Sequence, residues 1–427
     1  MSDQRLTLTV ERPVAGGRML ARHDGRVVLV SGAIPGETVV ARVESVSKKV
    51  ILAATVDVVD ASPDRRTPHC DPACGGSLYA HITIERQRRL KAEVVADALR
   101  RIGRVALDAP VAVAASPERG YRLRGRLHIQ RRRAGFFLER SHRLCDAGRT
   151  AQFRDDAMTA VARFLDVLGD EADGCESILV GENVAASERV LHLEPGEGRD
   201  LGQLPASTLL VDGVTGVTTV ARGRMVLLAG DGRVTDTTRD LCGDTDLLPA
   251  DAAWTRTAAS FFQGNRYLTG ALLQQVLRHV RGTRVLDLYA GVGLFSIGMA
   301  ARGARVTAVE GDEVGVADLD RNSARWAARI TTRQSSVEAA LMTMPAGRFD
   351  TVVIDPPRTG ASPEAVAALV TLKTPRLLYV SCDPATLARD AGLLITGGYR
   401  LSSIEAFDLF PNTAHVETLA VFDLART

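Results

Sequence analysis

Residues 284–310 read RVLDLYAGVGLFSIGMAARGARVTAVE: an apolar strand, a loop carrying Gly291 and Gly293, a helix of small residues, and a second apolar strand that ends at Glu310. Strands alternating with helices in this way make a parallel α/β sheet, whose ligands bind beyond the carboxyl ends of the strands. Outward from this stretch the same rhythm begins near Trp254 and runs on through DTVVID (350–355) and RLLYVSC (376–382), each strand ending at a polar or reactive residue. Tyr289, Glu310, Asp355 and Cys382 are therefore expected to line one crevice.

The glycine loop lets backbone approach a ligand closely, and Glu310 stands where a carboxylate can hold ribose hydroxyls. A dinucleotide is the rival ligand, but Ser296 takes the place of the third glycine of GxGxxG, which makes the loop a better match to S-adenosylmethionine than to NAD. Asp355 precedes Pro356 and Pro357, and a residue before proline is held extended, giving a stiff pocket wall. Cys382 lies where a strand gives way to a helix, with Pro384 suited to the first helical turn. A thiol at a helix N-terminus is expected to have its thiolate favoured by the helix dipole. Near the end of the chain Glu417 interrupts an apolar strand, an expensive place for a carboxylate without a partner or a task. A nucleophile and a base in one crevice is the reading that explains both.

Upstream, Leu6 to about Val59 alternates short apolar runs with turns such as Gly16-Gly17, Asp24-Gly25 and Pro35-Gly36, the pattern of a small antiparallel barrel. From Ala61 to Ala250 a linker-like SPDRRTPHCDPACGGS and a basic helix precede a β-rich stretch that includes TLLVDG (208–213) as an expected strand. The 427 residues allow two or three domains. A net charge of +2 gives no bulk argument for nucleic acid, but arginines cluster at 86–104 and 122–133 with few acids between, as a stripe tracking phosphates would. No run approaches the length of a membrane span, and the start lacks the order of a signal peptide, so a cytoplasmic protein is expected. Six dispersed cysteines argue against a disulfide framework and for thiols with individual roles.

The segments SFFQGN (260–265), LDLYAGVG (286–293), IDPPRTG (354–360), VSCDPATLARD (380–390) and DLFPNTAHVETL (408–419) resemble, in order and spacing, the RNA uracil-5-methyltransferases. GGRMLARHDGRVVLVSGAIPGE (16–37) resembles the TRAM domain, an RNA-binding barrel. The resemblance implies a TRAM-like barrel over 1–60, a β-rich central domain over 61–250 and a Rossmann-like class I methyltransferase domain over 251–427. It implies that Gln263, Tyr289, Glu310 and Asp355 contact S-adenosylmethionine, that Cys382 is the nucleophile and that Glu417 accepts a proton. It implies a monomer acting on ribosomal or transfer RNA, with no membrane partner. Such chemistry needs a thiolate to add to carbon 6 of uracil before methylation, and a base to remove the proton from carbon 5 afterwards.

Many of these relatives bind a four-iron cluster through a CxxxxxCxxC run and a later cysteine. Here the run is Cys70, Cys74 and Ser77, and the later position is Thr150, with Cys145 in place of a hydrophobic residue whose side chain should face the core. The expectation is that no cluster is held and that packing around Pro72 and Gly75-Gly76 fixes the loop. Two rival functions fit the sequence less well: a methyltransferase acting on cytosine or an exocyclic amine, against which stands Arg358 after the prolines, and a non-catalytic RNA-binding protein, against which stands the pairing of Cys382 with Glu417.

Overall fold

The computed structural model describes residues 4–425. Among them the chain forms a closed five-stranded barrel, a seven-stranded sheet, a two-stranded ribbon and an eight-stranded sheet. Strands β1 (Arg5–Pro13), β2 (Met19–His23), β3 (Arg26–Ser31), β4 (Thr38–Val46) and β5 (Val50–Asp60) close in the order β1-β2-β3-β5-β4. Leu6, Leu8 and Val10 of β1 point inward and Thr7 and Thr9 outward, the period of two that fills a small barrel with side chains.

Helix α1 (Ile84–Ala98) and the two-residue strand β6 (Val113–Ala114) lie in the sequence beside the central stretch but pack elsewhere. Val95 and Ala98 join the core beneath the last helix of the α/β sheet, and β6 adds a strand to that sheet's edge. Gly103 makes the approach feasible, since a Cβ there would stand 2.7 Å from the Ala388 carbonyl oxygen.

The central sheet takes β7 (Arg124–Gln130), β8 (Arg133–Phe137), β9 (Leu144–Cys145), β10 (Cys175–Glu182), β11 (Arg189–Pro195), β12 (Gly216–Ala221) and β13 (Arg224–Gly230). Helix α2 (Asp155–Leu168) buries Ala157, Val161, Phe164 and Leu165 against Ile178, Val180, Leu191 and Leu193 of that sheet. The expected strand at TLLVDG is instead the short helix α3 (Ala206–Leu209) and a turn. Pro205 stands at its N-cap and Gly213 adopts a φ of +86°, which turns the chain back before β12. A ribbon of β14 (Arg233–Thr237) and β15 (Ala253–Thr257), with α4 (Thr238–Cys242) between, leads into the last unit.

That unit runs α5 (Thr269–His279), β16 (Arg284–Leu288), α6 (Leu294–Ala301), β17 (Arg305–Glu310), α7 (Glu313–Ser323), β18 (Ile330–Gln334), α8 (Val337–Met342), β19 (Thr351–Ile354), α9 (Pro363–Leu372), β20 (Arg376–Ser381), α10 (Pro384–Thr396), β21 (Tyr399–Phe407) and β22 (Glu417–Leu424). The strand order is β18-β17-β16-β19-β20-β22-β21-β6, parallel from β18 to β20, with β22 antiparallel to both of its neighbours. Connections leave β16 toward β17 and arrive at β19 from the other side. This is the switch point at which an open α/β sheet holds its ligand. Helices cover both faces, so Val285, Leu286, Val352 and Val353 are fully buried.

The cysteines are not six independent thiols. Cys74 and Cys145 form a disulfide across 71 positions, tying the 70–77 loop to the β8–β9 hairpin. Cys145 is half-buried at a sheet end rather than aimed into the core, and the loop is fastened covalently as well as by the Gly75 N–H donating to Phe137 O at 3.1 Å.

Candidate active site

At the end of β16, Tyr289 has a φ of +60°, a left-handed conformation that a bulky residue adopts only where its surroundings impose it. Gly291 and Gly293 follow at +54° and +91°, and a Cβ on Gly291 would meet nothing nearer than the Phe261 oxygen at 3.8 Å. The loop thus presents bare backbone to open space. Glu310 at the end of β17 accepts from Gly291 N at 2.7 Å and from Gly311 N and Asp312 N, both at 2.8 Å. A cleft of about 490 Å³ opens here, lined by Tyr289, Glu310, Gly311, Ser335, Glu338 and Pro357.

Asp355, just past β19, accepts from Gln263 Nε2 at 3.1 Å. Burial pushes its carboxyl up to about 7 against the opposing effect of that bond. Beneath it lies Asp287, fully buried in β16, with Oδ2 accepting from Ser296 Oγ at 2.5 Å and Oδ1 without a partner. Burial, with the charges of Asp355 and Glu310 added, pushes Asp287 up to about 7 as well. Asp287 was not singled out from the sequence. The signal was available, because an aspartate inside VLDLYA is as anomalous as a glutamate inside VETLAVF. These residues fit a cationic cofactor carrying ribose hydroxyls: a bare glycine loop, a carboxylate at the ribose position and a buried carboxylate oxygen lacking a donor.

Cys382 follows β20 and is half-buried. The expected activation by the helix dipole is not what the geometry gives. Asp383 is the N-cap of α10, and its carboxylate accepts from Ala385 N and Thr386 N, both at 2.9 Å. Those are the free N–H groups a thiolate would have needed, and Cys382 lies one residue outside them. Burial, then the charges of Glu417 and Asp355, push the thiol up to about 12, with Arg358 acting in the opposite sense. Glu417 opens β22 opposite Phe407, is 3% exposed, and has Oε1 without a partner. Burial and the Asp355 charge hold its carboxyl well above the usual range.

The structure brings Gln263, Asp355, Cys382 and Glu417 around the ends of β19, β20 and β22, and places Tyr289 and Glu310 beyond β16 and β17. The single crevice expected is two clefts. Cys382 faces one of about 300 Å³ whose other walls include Ala15 and Gly16 of the barrel, Gly75 and Gly76 of the cysteine loop, and Thr413 and His415. Asp355 lies between the two and is felt at Asp287 on one side and at Cys382 and Glu417 on the other.

About half of the arginine stripe is paired with acids, some remote in sequence and some one helical turn away. Arg86 and Arg89 pair with Asp64, Arg100 and Arg101 with Asp97, Arg126 with Glu194 and Arg132 with Asp170. Cys70, Cys74 and Cys145 line one small cavity, but they do not supply four thiolates. Cys74 is bonded to Cys145, Cys70 is a buried thiol, and Thr150 Oγ1 donates to Ala147 O at 2.6 Å. Among the described residues no group of three or more His, Cys, Asp or Glu side chains is arranged to hold a metal, and the donor set does not fit a four-thiolate cluster.

The family model for tRNA (uracil-5-)-methyltransferases matches residues 249–424, and that for the TRAM domain matches residues 2–56. The 23S rRNA (uracil(1939)-C(5))-methyltransferase RlmD of Pseudomonas putida is 33% identical, over 97% of this chain and 93% of that protein. An uncharacterized RNA methyltransferase of Streptomyces avermitilis is 33% identical over 97% of each chain. The crystal structure of Pyrococcus abyssi tRNA (uracil-54, C5)-methyltransferase in complex with S-adenosyl-L-homocysteine is similar with a TM-score of 0.74 and 25% identity, covering 97% of this chain and 99% of that one.

Proposed function

Because this chain belongs to the RNA uracil-5-methyltransferases, S-adenosylmethionine-dependent enzymes, we propose that it methylates carbon 5 of a uridine in ribosomal RNA through a covalent adduct between Cys382 and carbon 6 of the base. The observation that carries the mechanism is the convergence of a thiol and a partnerless buried carboxylate at one end of the adjacent strands β20 and β22, with the thiol opening onto a cleft walled also by the barrel turn and the cysteine loop. Ribosomal RNA is preferred to transfer RNA because several relatives at 31–33% identity, matched over nine-tenths or more of their length, are named for 23S rRNA.

Carbon 5 of uracil is a weak nucleophile. Cys382 as thiolate adds to carbon 6, which makes the ring an enolate and carbon 5 electron-rich. Gln263, Tyr289, Glu310 and Asp355 would hold S-adenosylmethionine, which would supply the methyl group as an electrophile to carbon 5 and depart as S-adenosylhomocysteine. Glu417 then takes the proton from carbon 5, the electron pair restores the ring, and the sulfur leaves as thiolate. Stacking hides the target atoms, so the uridine enters flipped out or unpaired, with the barrel turn at Ala15-Gly16 closing over it. The enzyme is placed in the cytoplasm as a monomer on the same reading; no helix of the described residues is long and apolar enough to cross a membrane.

Methyl transfer from labelled cofactor to 23S rRNA and to tRNA transcripts, with the modified nucleotide mapped, tests the substrate. Label in tRNA alone would overturn the ribosomal reading. Cys382→Ala is expected to abolish transfer while S-adenosylhomocysteine still binds, and substantial remaining activity would remove the covalent step.

A further inference from the structure

Most of the resting site opposes the thiolate that the proposed mechanism requires. The α10 N–H groups belong to Asp383, and Glu417 and Asp355 both oppose a negative sulfur. One cation acts the other way. Arg358 follows Pro356-Pro357, its carbonyl accepts from Thr386 Oγ1 in the first turn of α10 at 3.4 Å, and its Nη2 stands 3.5 Å from His415 Nε2. His415 lines the same cleft as Cys382.

Two features of this contact matter. Among the described residues Arg358 has no carboxylate partner, whereas Arg389 of α10 is tied to Asp390. Its anchor is also neutral. His415 stands exposed at the cleft mouth, and partial desolvation of its ring, with the charges of Arg358, Lys91 and Arg122, lowers its value, so it meets Arg358 as a neutral imidazole that does not quench the guanidinium. A carboxylate in that place would fix the arginine equally well and cancel its charge.

Resting on the covalent reading above, we propose that Arg358, held by neutral His415, is the positioning residue that stabilises the Cys382 thiolate. The thiol proton passes to bulk water through the open cleft, and the guanidinium offsets the charge left on sulfur. The charges acting on the sulfur are then Arg358 in one sense and Glu417 and Asp355 in the other, with His415 and Asp383 in the same cleft wall. A guanidinium is chosen over an ammonium because it stays charged at any working pH and can be held in a defined plane by one neutral acceptor.

The test is the pH dependence of Cys382 alkylation by iodoacetamide in RNA-free protein, followed by mass spectrometry of the peptide that carries it. In Arg358→Ala the rate at pH 8 is expected to fall about three- to tenfold, as an upward move of half to one unit requires. Arg358→Lys should recover part of the loss and serves as the variant that keeps the fold if alanine does not. Because Arg358 is exposed, 1 M salt should shrink the difference. In turnover, kcat should fall with KM for RNA little changed. An alkylation profile identical to wild type, with KM raised instead, would make Arg358 an RNA-backbone contact and overturn the proposal. Retention of methyl transfer by Cys382→Ala would sink the covalent reading by itself, whatever alkylation shows.

Discussion

A carboxylate inside an apolar strand is the residue-scale feature that organises this site. Asp287 and Glu417 each have one buried oxygen without a donor, a condition that costs free energy and persists where a ligand or a proton completes it. Glu417→Gln keeps the shape but cannot take a proton, so the adduct should form and fail to resolve. A protein–RNA species stable to denaturing electrophoresis is expected, and methylation at wild-type rate without it would remove Glu417 from the role. Asp287 gives a second prediction. Its folded-state value near 7 lies above that of an unfolded aspartate, so the folded form holds the proton more tightly. Its contribution to stability is complete below about pH 4 and is lost as pH rises through 7. The cofactor-free protein should therefore melt at a lower temperature at pH 8 than at pH 5.5, and Asp287→Asn should narrow that gap; an unchanged gap would refute the assignment. Glu417 was legible at this scale because a carboxylate clashes with an apolar strand, and Cys382 because it ends a strand where a helix begins. Arg358 and His415 were not, since an arginine after two prolines and a histidine in a loop clash with nothing.

At the scale of elements, the cysteine loop shows how a local motif can lose its ligands and keep its position. Residues 70–77 wall the thiol cleft, and the Cys74–Cys145 bond fixes them to the β8–β9 hairpin. Closing a loop of this length contributes about 4 kcal/mol on chain-entropy arguments. Cys145→Ser, or treatment of the wild type with a dithiol reductant, should lower the melting temperature and raise KM for RNA, while binding of S-adenosylhomocysteine in the separate cleft stays unchanged. Equal melting curves with and without reductant would show that packing suffices. Anaerobic purification with iron and sulfide analysis should give a colourless protein, and near-stoichiometric iron would contradict the ligand count. Helix α10 carries the companion lesson. Pro384 at its start was readable, but whether its N–H groups would serve Cys382 or Asp383 depended on one side-chain rotamer.

For the whole molecule, the contact that matters is between the barrel and the loop leading to β22. Gly17 has a φ of +90°, and a Cβ there would stand 2.4 Å from Leu78 Cδ2 and 2.8 Å from Ala414 Cβ. Ala414 lies between Thr413 and His415, both in the wall of the thiol cleft. Glycine therefore sets the barrel at a fixed distance from the thiol, and displacement by an ångström is enough to disturb a site that must grip a flipped base. Gly17→Val is expected to raise KM for RNA about tenfold or more, with affinity for S-adenosylhomocysteine unaltered. An RNA KM within twofold of wild type would mean that the barrel's placement is not transmitted to the cleft.

The alternation of strands and helices after Trp254, the glycine loop and the unusual placement of Cys382 and Glu417 were legible in the sequence alone, because periodicity, turn chemistry and misplaced polar residues act over a few positions. The tertiary structure decided the rest. It put α1 and β6 on the α/β sheet, paired Arg86, Arg89, Arg126 and Arg132 of the stripe with remote acids, joined Cys74 to Cys145, and divided the expected crevice into two clefts about Asp355. Each of these depends on which groups from distant parts of the chain come within a few ångströms. Charge pairing, desolvation and cleft shape follow those distances, and no local pattern encodes them.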